Sequence, residues 1–265
     1  MRINFRRKRK VKRLMAAAMG AGVATAGATA EAATISFQEG DSNGYAGTED
    51  TWFSERSTSN ERDGNPDGSF VRTALWSAAN QQGLIKFNGI FGGSGVPLGA
   101  PINSASLTLH VPSDIQYSDG EQNAVHQMLI DWVETDAHGD GANPGPWSGG
   151  ATGGVDLDDA EAASAAADLG PVGVTPQNMT FSLDVTSIVQ NWSNGAGNYG
   201  FLLQSQGLNA GNGLFMASSE YVGADGIDKR PRLTVDYIIP EPTTFVLLGL
   251  GSVLVLLPGR FRHSW

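Results

Sequence analysis

The sequence predicts an all-β protein, a β-sandwich with one short helix, between an N-terminal signal peptide and a C-terminal transmembrane helix. Three observations lead to this prediction. Residues 33–239 hold short runs of alternating apolar and polar residues, which Gly, Asn, Asp and Pro separate. One stretch near residue 188 has the apolar spacing of a helix instead. Both ends of the chain combine an uncharged run with basic residues. We therefore divide the chain into residues 1–32, 33–239 and 240–265.

Residues 1–32 have the pattern of a secretory signal peptide. Eight basic residues lie in the first 13 positions, and the next 17 residues carry no charge. Small residues at Ala30 and Ala32 suit a signal peptidase, so we expect cleavage between Ala32 and Ala33, with cleavage after Ala30 as a second option. The alternative is a basic nucleic-acid-binding arm with an Ala-rich linker. The A-x-A ending of the uncharged run favours the signal peptide.

The central region reads as a series of short strands. In the clearest one, over 102–111, apolar and polar residues alternate. We expect its apolar residues on a buried face and its polar residues, including His110, on a face in contact with water. The strand over 232–237 alternates in the same way. Further strands are predicted at 34–37, 51–54, 84–87, 125–130, 181–183, 201–204 and 214–217.

A single apolar stripe predicts one short helix. Its members fall at i, i+3, i+4 and i+7: Val185, Ile188, Val189 and Trp192. Asp184 stands at the expected N-cap, and Gly195 follows the end. Trp192 is therefore expected in the core. The Ala-rich stretch 158–169 lacks such a stripe, and we interpret it as a surface insertion.

Residues 240–265 carry a second membrane signal. The run 243–257 is uncharged and mostly apolar over 15 residues. As a helix it is roughly 22 Å long, against a hydrocarbon core of about 30 Å, and continuation to Phe261 nearly closes the gap. Positive flanks stay in the cytoplasm, so the basic end places the tail inside and residues 33–239 outside. The alternative, a buried core element, is less favoured because basic residues follow the run directly.

The tail resembles a known sorting signal. Pro240-Glu241-Pro242, the apolar run, and an end that carries Arg260 and Arg262 are together similar to the PEP-CTERM signal of Gram-negative bacteria. The resemblance implies that exosortase, a membrane protease-transpeptidase, recognises and processes the tail. It implies export through the inner membrane, transient anchoring, and a final place at the cell surface or outside the cell, in association with exopolysaccharide and biofilm.

The central region also resembles a known domain. The stretches that carry the likeness are 83–87 (GLIKF), 97–109, 131–134 (DWVE), 184–192, 200–203, 218–220 and 230–235. In this order and spacing they resemble the DNRLRE domain of secreted and surface proteins. The resemblance implies a jelly-roll-like β-sandwich over residues 33–239. Some members are carbohydrate-binding modules of polysaccharide-degrading enzymes, and others stand alone.

The sequence offers little for catalysis. It has no cysteine, which excludes disulfides, thiol nucleophiles and Cys-ligated metals. It has no metal-ligand spacing of histidines and no nucleophile-elbow, Walker or dinucleotide motif. Asp131 and Glu134 flank Trp132, and paired carboxylates serve glycoside hydrolysis. Such pairs arise by chance among the 25 acidic residues of 33–239. We therefore predict that the protein is not an enzyme.

Charge and loop composition limit the classes of ligand that the protein can bind. Residues 33–239 hold seven basic and 25 acidic residues, a formal charge of −18, which argues against nucleic-acid binding. An acidic, Gly-rich loop offers oxygen ligands for a structural Ca²⁺. Its candidate ligands are Glu39, Asp41, Asn43 and Asp50. The alternative is that these are solvated loop residues.

Aromatic residues in polar surroundings are candidates for sugar binding. They are Trp52, Trp76, Tyr117, Trp132 and Trp147. Three functions follow in order of preference. The first is an exported structural or adhesive component of a polysaccharide matrix. The second is a carbohydrate-binding module for a neutral or Ca²⁺-bridged polysaccharide, and the third is a polysaccharide-degrading enzyme.

Overall fold

The computed structural model describes residues 31–54, 70–76, 79–113, 123–134, 147, 154–170, 178–205, 212–223 and 225–239. The signal sequence up to Ala30, the Pro-Glu-Pro motif, the apolar tail, the basic end and Tyr117 lie outside these residues. Within the described ranges, no helix is long and apolar enough to cross a membrane.

The described part of the chain is built from strands with one α-helix. Each predicted strand is confirmed, although the one predicted over 125–130 ends at Gln127. The strands are β1 (Glu31–Gln38), β2 (Thr48–Ser54), β3 (Phe70–Trp76), β4 (Ala79–Phe87), β5 (Ile102–Val111), β6 (Asn123–Gln127), β7 (Asp168–Leu169), β8 (Met179–Asp184), β9 (Phe201–Ser205), β10 (Asn212–Ala217) and β11 (Arg232–Ile239). The helix α1 is Thr186–Ser193, and a 3₁₀ turn spans Ile227–Lys229.

The strands form two antiparallel sheets. The front sheet has the order β1-β11-β5-β8. The back sheet has the order β10-β3-β4-β9-β6-β7, with β2 also paired to β4. The first and last strands are neighbours over their full length, from Glu31 opposite Ile239 to Gln38 opposite Arg232.

Both sheets contribute to one hydrophobic core. The front sheet supplies Leu107, Leu109, Leu233 and Val235, and the back sheet supplies Ile85, Phe87, Phe201 and Leu203. Alternation along each strand directs these residues inward. Two sheets with a shared core make a β-sandwich, which confirms the predicted fold class at that level.

The predicted helix is confirmed, with one correction at its start. Ile188, Val189 and Trp192 are buried, and the Trp192 ring lies 5.0 Å from that of Phe201. Val185, not Asp184, occupies the N-cap. Asp184 acts from one position earlier, because its Oδ1 accepts hydrogen bonds from the N–H (2.9 Å) and the hydroxyl (2.6 Å) of Thr186.

A second apolar cluster covers the outer face of the back sheet. Its members are Phe53, Leu84, Met128, Trp132, Trp147, Val155, Ala162 and Leu202. The stretch 158–169 contains no helix, but Glu161 and Ala162 are buried, so this stretch is more than a surface insertion. The outer face of the front sheet carries hydroxyl groups that pair across strands, such as Thr108 with Ser182 at 2.9 Å.

The prediction that His110 faces water is wrong. Its side chain is buried because residues 225–230 cover that end of the front sheet. Nδ1 lies 2.9 Å from the Thr180 hydroxyl, and Nε2 lies 3.5 Å from Asp225 Oδ2. Burial lowers the pKa of His110 and opposes the effect of Asp225.

Leu107 gives a direct test of the shared core. It is fully buried between the sheets, so Leu107→Ala is expected to lower the free energy of unfolding by about 2–5 kcal/mol. Ser104 is exposed on the same strand, and Ser104→Ala should change it by less than about 0.5 kcal/mol. Urea denaturation measures both. Equal midpoints for the two variants would contradict the placement of Leu107.

Candidate functional site

A groove of about 960 Å³ runs beside β1, the outermost strand of the front sheet. Three segments line it: residues 34–37 of β1, the loop 41–47, and the turn 88–95. Its volume lies within the range of about 300–1,000 Å³ that is usual for ligand sites. This groove is therefore the candidate binding site.

The loop 41–47 closes part of the free edge of β1. Asn43 Nδ2 donates a hydrogen bond to the Ser36 carbonyl at 2.8 Å, and Asn43 Oδ1 accepts one from the Tyr45 N–H at 2.9 Å. An edge strand presents unpaired backbone groups that invite pairing with another chain. Because Asn43 occupies one of them, the space beside β1 is bounded as a groove.

Two half-buried aromatic residues line the groove. The Tyr45 ring lies edge-on to Phe37 with the ring centres 5.3 Å apart, and its hydroxyl donates to the Asn88 carbonyl at 3.0 Å. Burial, with Glu39 nearby, raises the pKa of the Tyr45 phenol, so the hydroxyl is neutral at physiological pH. Phe91 is the second. Sequence analysis missed both, because three segments that are separate in the sequence form the groove.

Glycines leave one wall of the groove without side chains. Gly92 and Gly93 have φ angles of 78° and 54°, which other residues rarely adopt. A Cβ at Gly95 would lie 2.4 Å from the Ile90 carbonyl oxygen. The turn therefore requires glycine, and backbone groups line this wall.

The groove is polar and close to neutral. Among the described residues that line it, Asp41 is the sole carboxylate, and none is Lys or Arg. Hydroxyl, amide and backbone groups line most of the rest, together with Ile35, Ala46 and aromatic side chains. This surface suits a neutral ligand that carries many hydroxyl groups.

The predicted sugar-binding aromatics do not gather at this groove. Trp132 is buried, and its Nε1 donates to the Tyr199 carbonyl at 2.8 Å. Trp147 is buried and stacks on Phe53 at 4.8 Å. Neither ring presents a face to water. Trp52 is half-buried and packs against the shared core. Trp76 belongs to β3, and its side chain, like Tyr117, lies outside what the structure describes.

The predicted calcium ligands do not converge. Glu39 accepts a hydrogen bond from the Thr48 N–H at 3.2 Å, and Asn43 is engaged with β1 as described. Asp50 is buried in β2 and accepts a hydrogen bond from the Ser219 N–H at 2.6 Å. Within the described ranges, no group of three or more His, Cys, Asp or Glu, Asp41 included, is placed to hold a metal ion.

Asp131, one of the paired carboxylates, neutralises a buried cation. Lys86 projects from β4 into the second apolar cluster, and its Nζ lies 3.0 Å from Glu49 Oε2 and 3.3 Å from Asp131 Oδ1. The same Nζ donates to the Trp132 carbonyl at 2.6 Å and lies 4.8 Å from that ring's centre. These contacts give Asp131 a structural role, since a buried charge needs such partners.

Three basic residues share a smaller pocket at the start of β11. Lys229, Arg230 and Arg232 line a space of about 120 Å³ above His110. Arg230 is held in place by its Nε, which donates to the Tyr221 carbonyl at 2.9 Å. The volume corresponds to roughly four water molecules, too little for a sugar chain.

In comparisons with known proteins, no family model matched the chain, and no curated protein matched it significantly.

The buried carboxyl of Asp50 predicts an unusual pH dependence. Burial raises the pKa of Asp50 well above its usual range, with Glu220 adding to the shift and Ser219 opposing it. The folded protein therefore holds this proton at higher pH than the unfolded chain does, and the contribution to stability is lost as pH rises above about 4. Asp50→Asn cannot ionise and can still accept the Ser219 hydrogen bond.

We expect Asp50→Asn to raise the urea midpoint above that of the parent at pH 7, and the difference to shrink as the pH falls toward 4. Urea titrations across this range measure it. Asp228→Asn, at an exposed carboxyl, is the matched control and should track the parent. A midpoint for Asp50→Asn that stays below the parent at pH 7 would show that ionised Asp50 stabilises the fold.

Proposed function

We propose that the chain is an exported surface or matrix protein of a Gram-negative bacterium, sorted by an exosortase-type system, with a non-catalytic structural or adhesive sandwich. The sequence of the two ends supports export and sorting. Signal peptidase and exosortase are then its partners during export, and the membrane holds it until the tail is processed. Glu31 and Ala32, the first two residues of β1, precede the predicted cleavage point, so β1 of the processed chain begins at Ala33, opposite Tyr237.

The strand order supports the finer assignment as a jelly roll. Without β2, β3 and β10, two rows of four strands remain, β1-β11-β5-β8 and β4-β9-β6-β7. Numbered from one to eight along the chain, these strands lie in the orders 1-8-3-6 and 2-7-4-5. Two Greek keys folded together produce these orders, as in jelly rolls.

Structural roles of four described carboxylates support a non-catalytic function. Asp131 and Glu49 are engaged with Lys86, and Asp50 is buried against Ser219. Asp225 accepts hydrogen bonds from the N–H and the hydroxyl of Ser113, both at 2.8 Å. Each has a structural explanation. A polysaccharide-degrading enzyme remains the third candidate. Release of degradation products from a polysaccharide by the purified protein would support it.

The groove beside β1 favours a second candidate, a module that binds a neutral polysaccharide. The supporting observation is the combination of its size, its neutral polar lining, and the Tyr45 and Phe91 rings. An adhesive matrix component and a glycan-binding module then differ in one respect, namely whether a specific glycan occupies this groove.

The sorting proposal predicts the fate of tail variants in an exosortase-bearing host. Deletion of 243–265 should release the protein to the periplasm, because the membrane segment is lost. Replacement of Pro240-Glu241-Pro242 by three alanines should leave a longer, membrane-held form, because the processing enzyme loses its motif. Fractionation with an epitope in the sandwich measures both. If the triple variant matures like the parent, the tail is only an anchor.

The binding proposal predicts that filling the groove abolishes glycan binding. Ser94 is exposed in the turn that lines the groove, so Ser94→Trp should reduce the affinity for a bound neutral glycan at least about tenfold. Ser187, exposed on α1, gives the control Ser187→Trp, which should bind like the parent. A glycan array with and without Ca²⁺ identifies the ligand. No binding to any glycan, with strong self-association, would favour the purely structural role.

A further inference from the structure

The first residue of β1 and the last residue of β11 lie at the same corner of the sandwich. Glu31 pairs with Ile239, and the Ile238 N–H donates to the Pro101 carbonyl at 2.9 Å. The turn 97–101, which leads into β5, lies at the same end of the front sheet. We call residues 97–101 and 238–239 the terminal corner, since residues 31–32 precede the predicted cleavage point.

The covalent length of the chain limits how far the terminal corner stands from the apolar tail. Only Pro240, Glu241 and Pro242 separate Ile239 from residue 243, the first of the apolar run. Ile239 and residue 243 are four Cα–Cα steps apart, which span at most about 14 Å whatever conformation the chain takes. The headgroup layer on each side of a bilayer is about 5–8 Å thick. With the run in the membrane, Ile239 lies either among the headgroups or within about 10 Å of them.

The terminal corner carries a firmly held, exposed leucine. Leu98 is 66 % exposed, but the two residues that follow it are hydrogen-bonded to the end of α1. The Gly99 N–H donates to the Ser193 carbonyl at 2.8 Å, and the Ser193 hydroxyl donates to the Ala100 carbonyl at 2.7 Å. Ile239, at 37 % exposure, adds a second apolar side chain. These hydrogen bonds fix the turn, so Leu98 stays exposed at its surface.

We propose that the terminal corner is a membrane-contact surface, with Leu98 in the headgroup region of the bilayer for as long as the tail is attached. This inference rests on the proposed role of the tail as a membrane segment. None of the residues of the terminal corner carries a charge, so the contact does not require an anionic bilayer. Removal of the tail releases the corner and the sandwich together.

The opposite end of the front sheet provides a matched control. Val222 is 72 % exposed and lies near Arg230, just before the start of β11. The eight residues of β11 separate the two ends by about 26 Å. Both side chains are apolar and exposed, so they differ mainly in their distance from the tail.

The absence of cysteine allows single labels to report on each end. Leu98→Cys and Val222→Cys are made in the full chain without its signal peptide (33–265), labelled with a polarity-sensitive fluorophore, and reconstituted in phosphatidylcholine vesicles. We expect the label at 98 to be quenched several-fold more by a lipid-borne quencher, and several-fold less by iodide in the water. A Gly-Ser linker of about ten residues after Ile239, with a mean reach of about 17 Å, should abolish the difference.

The outcomes separate this inference from the proposed function. If the full chain fails to float with the vesicles, the tail is not a membrane segment, and both proposals fall. If the chain floats but the two labels behave alike, the contact is overturned and the membrane role of the tail stands. A difference that persists with the linker would show that the corner binds lipid without help from the tail.

Discussion

The pairing of the first strand with the last is the constraint on which the remaining features depend. Eight residues of β1 pair with eight of β11, across most of the described chain. At one end of this ladder, Gln38 Nε2 donates to the carbonyls of Asp228 (3.0 Å) and Arg230 (2.7 Å), which holds the segment that buries His110. Along its free edge, Asn43 binds Ser36 and shapes the groove. The β1–β11 pairing therefore supports both the cover over His110 and the groove.

The two outer faces of the sandwich differ, and this difference controls where charge and ligands can go. The back sheet is covered by the second apolar cluster, which buries Lys86 and forces Glu49 and Asp131 to neutralise it. Breaking such a buried pair is costly, so these residues serve the fold. The front sheet keeps a polar outer face. The groove lies at its edge, where β1 has no second neighbour among the described strands.

Local pattern predicted the fold well and the site poorly, for physical reasons. Alternation in β5 and β11 reports which face is buried, and the stripe of α1 reports its buried side. Asp50, in contrast, is close to Asp41 in the sequence but is buried in β2 against Ser219, 169 positions further along the chain. Sequence proximity therefore could not place calcium ligands together. We predicted exposed positions for Trp132, Trp147 and His110. Segments distant in the sequence cover them instead, and no local sequence signal carries that information.

The same pairing links folding to export under the proposed sorting. β1 leaves the translocation channel first, but its partner β11 is among the last residues of the sandwich to follow. The front sheet therefore cannot close until residue 239 has crossed the membrane, when the Pro-Glu-Pro motif is the next segment in line. Long-range pairing of this kind is slow because its loop-closure cost comes before its contacts. Under the proposed sorting, retention by the tail would give the sandwich time to close beside the membrane before processing releases it.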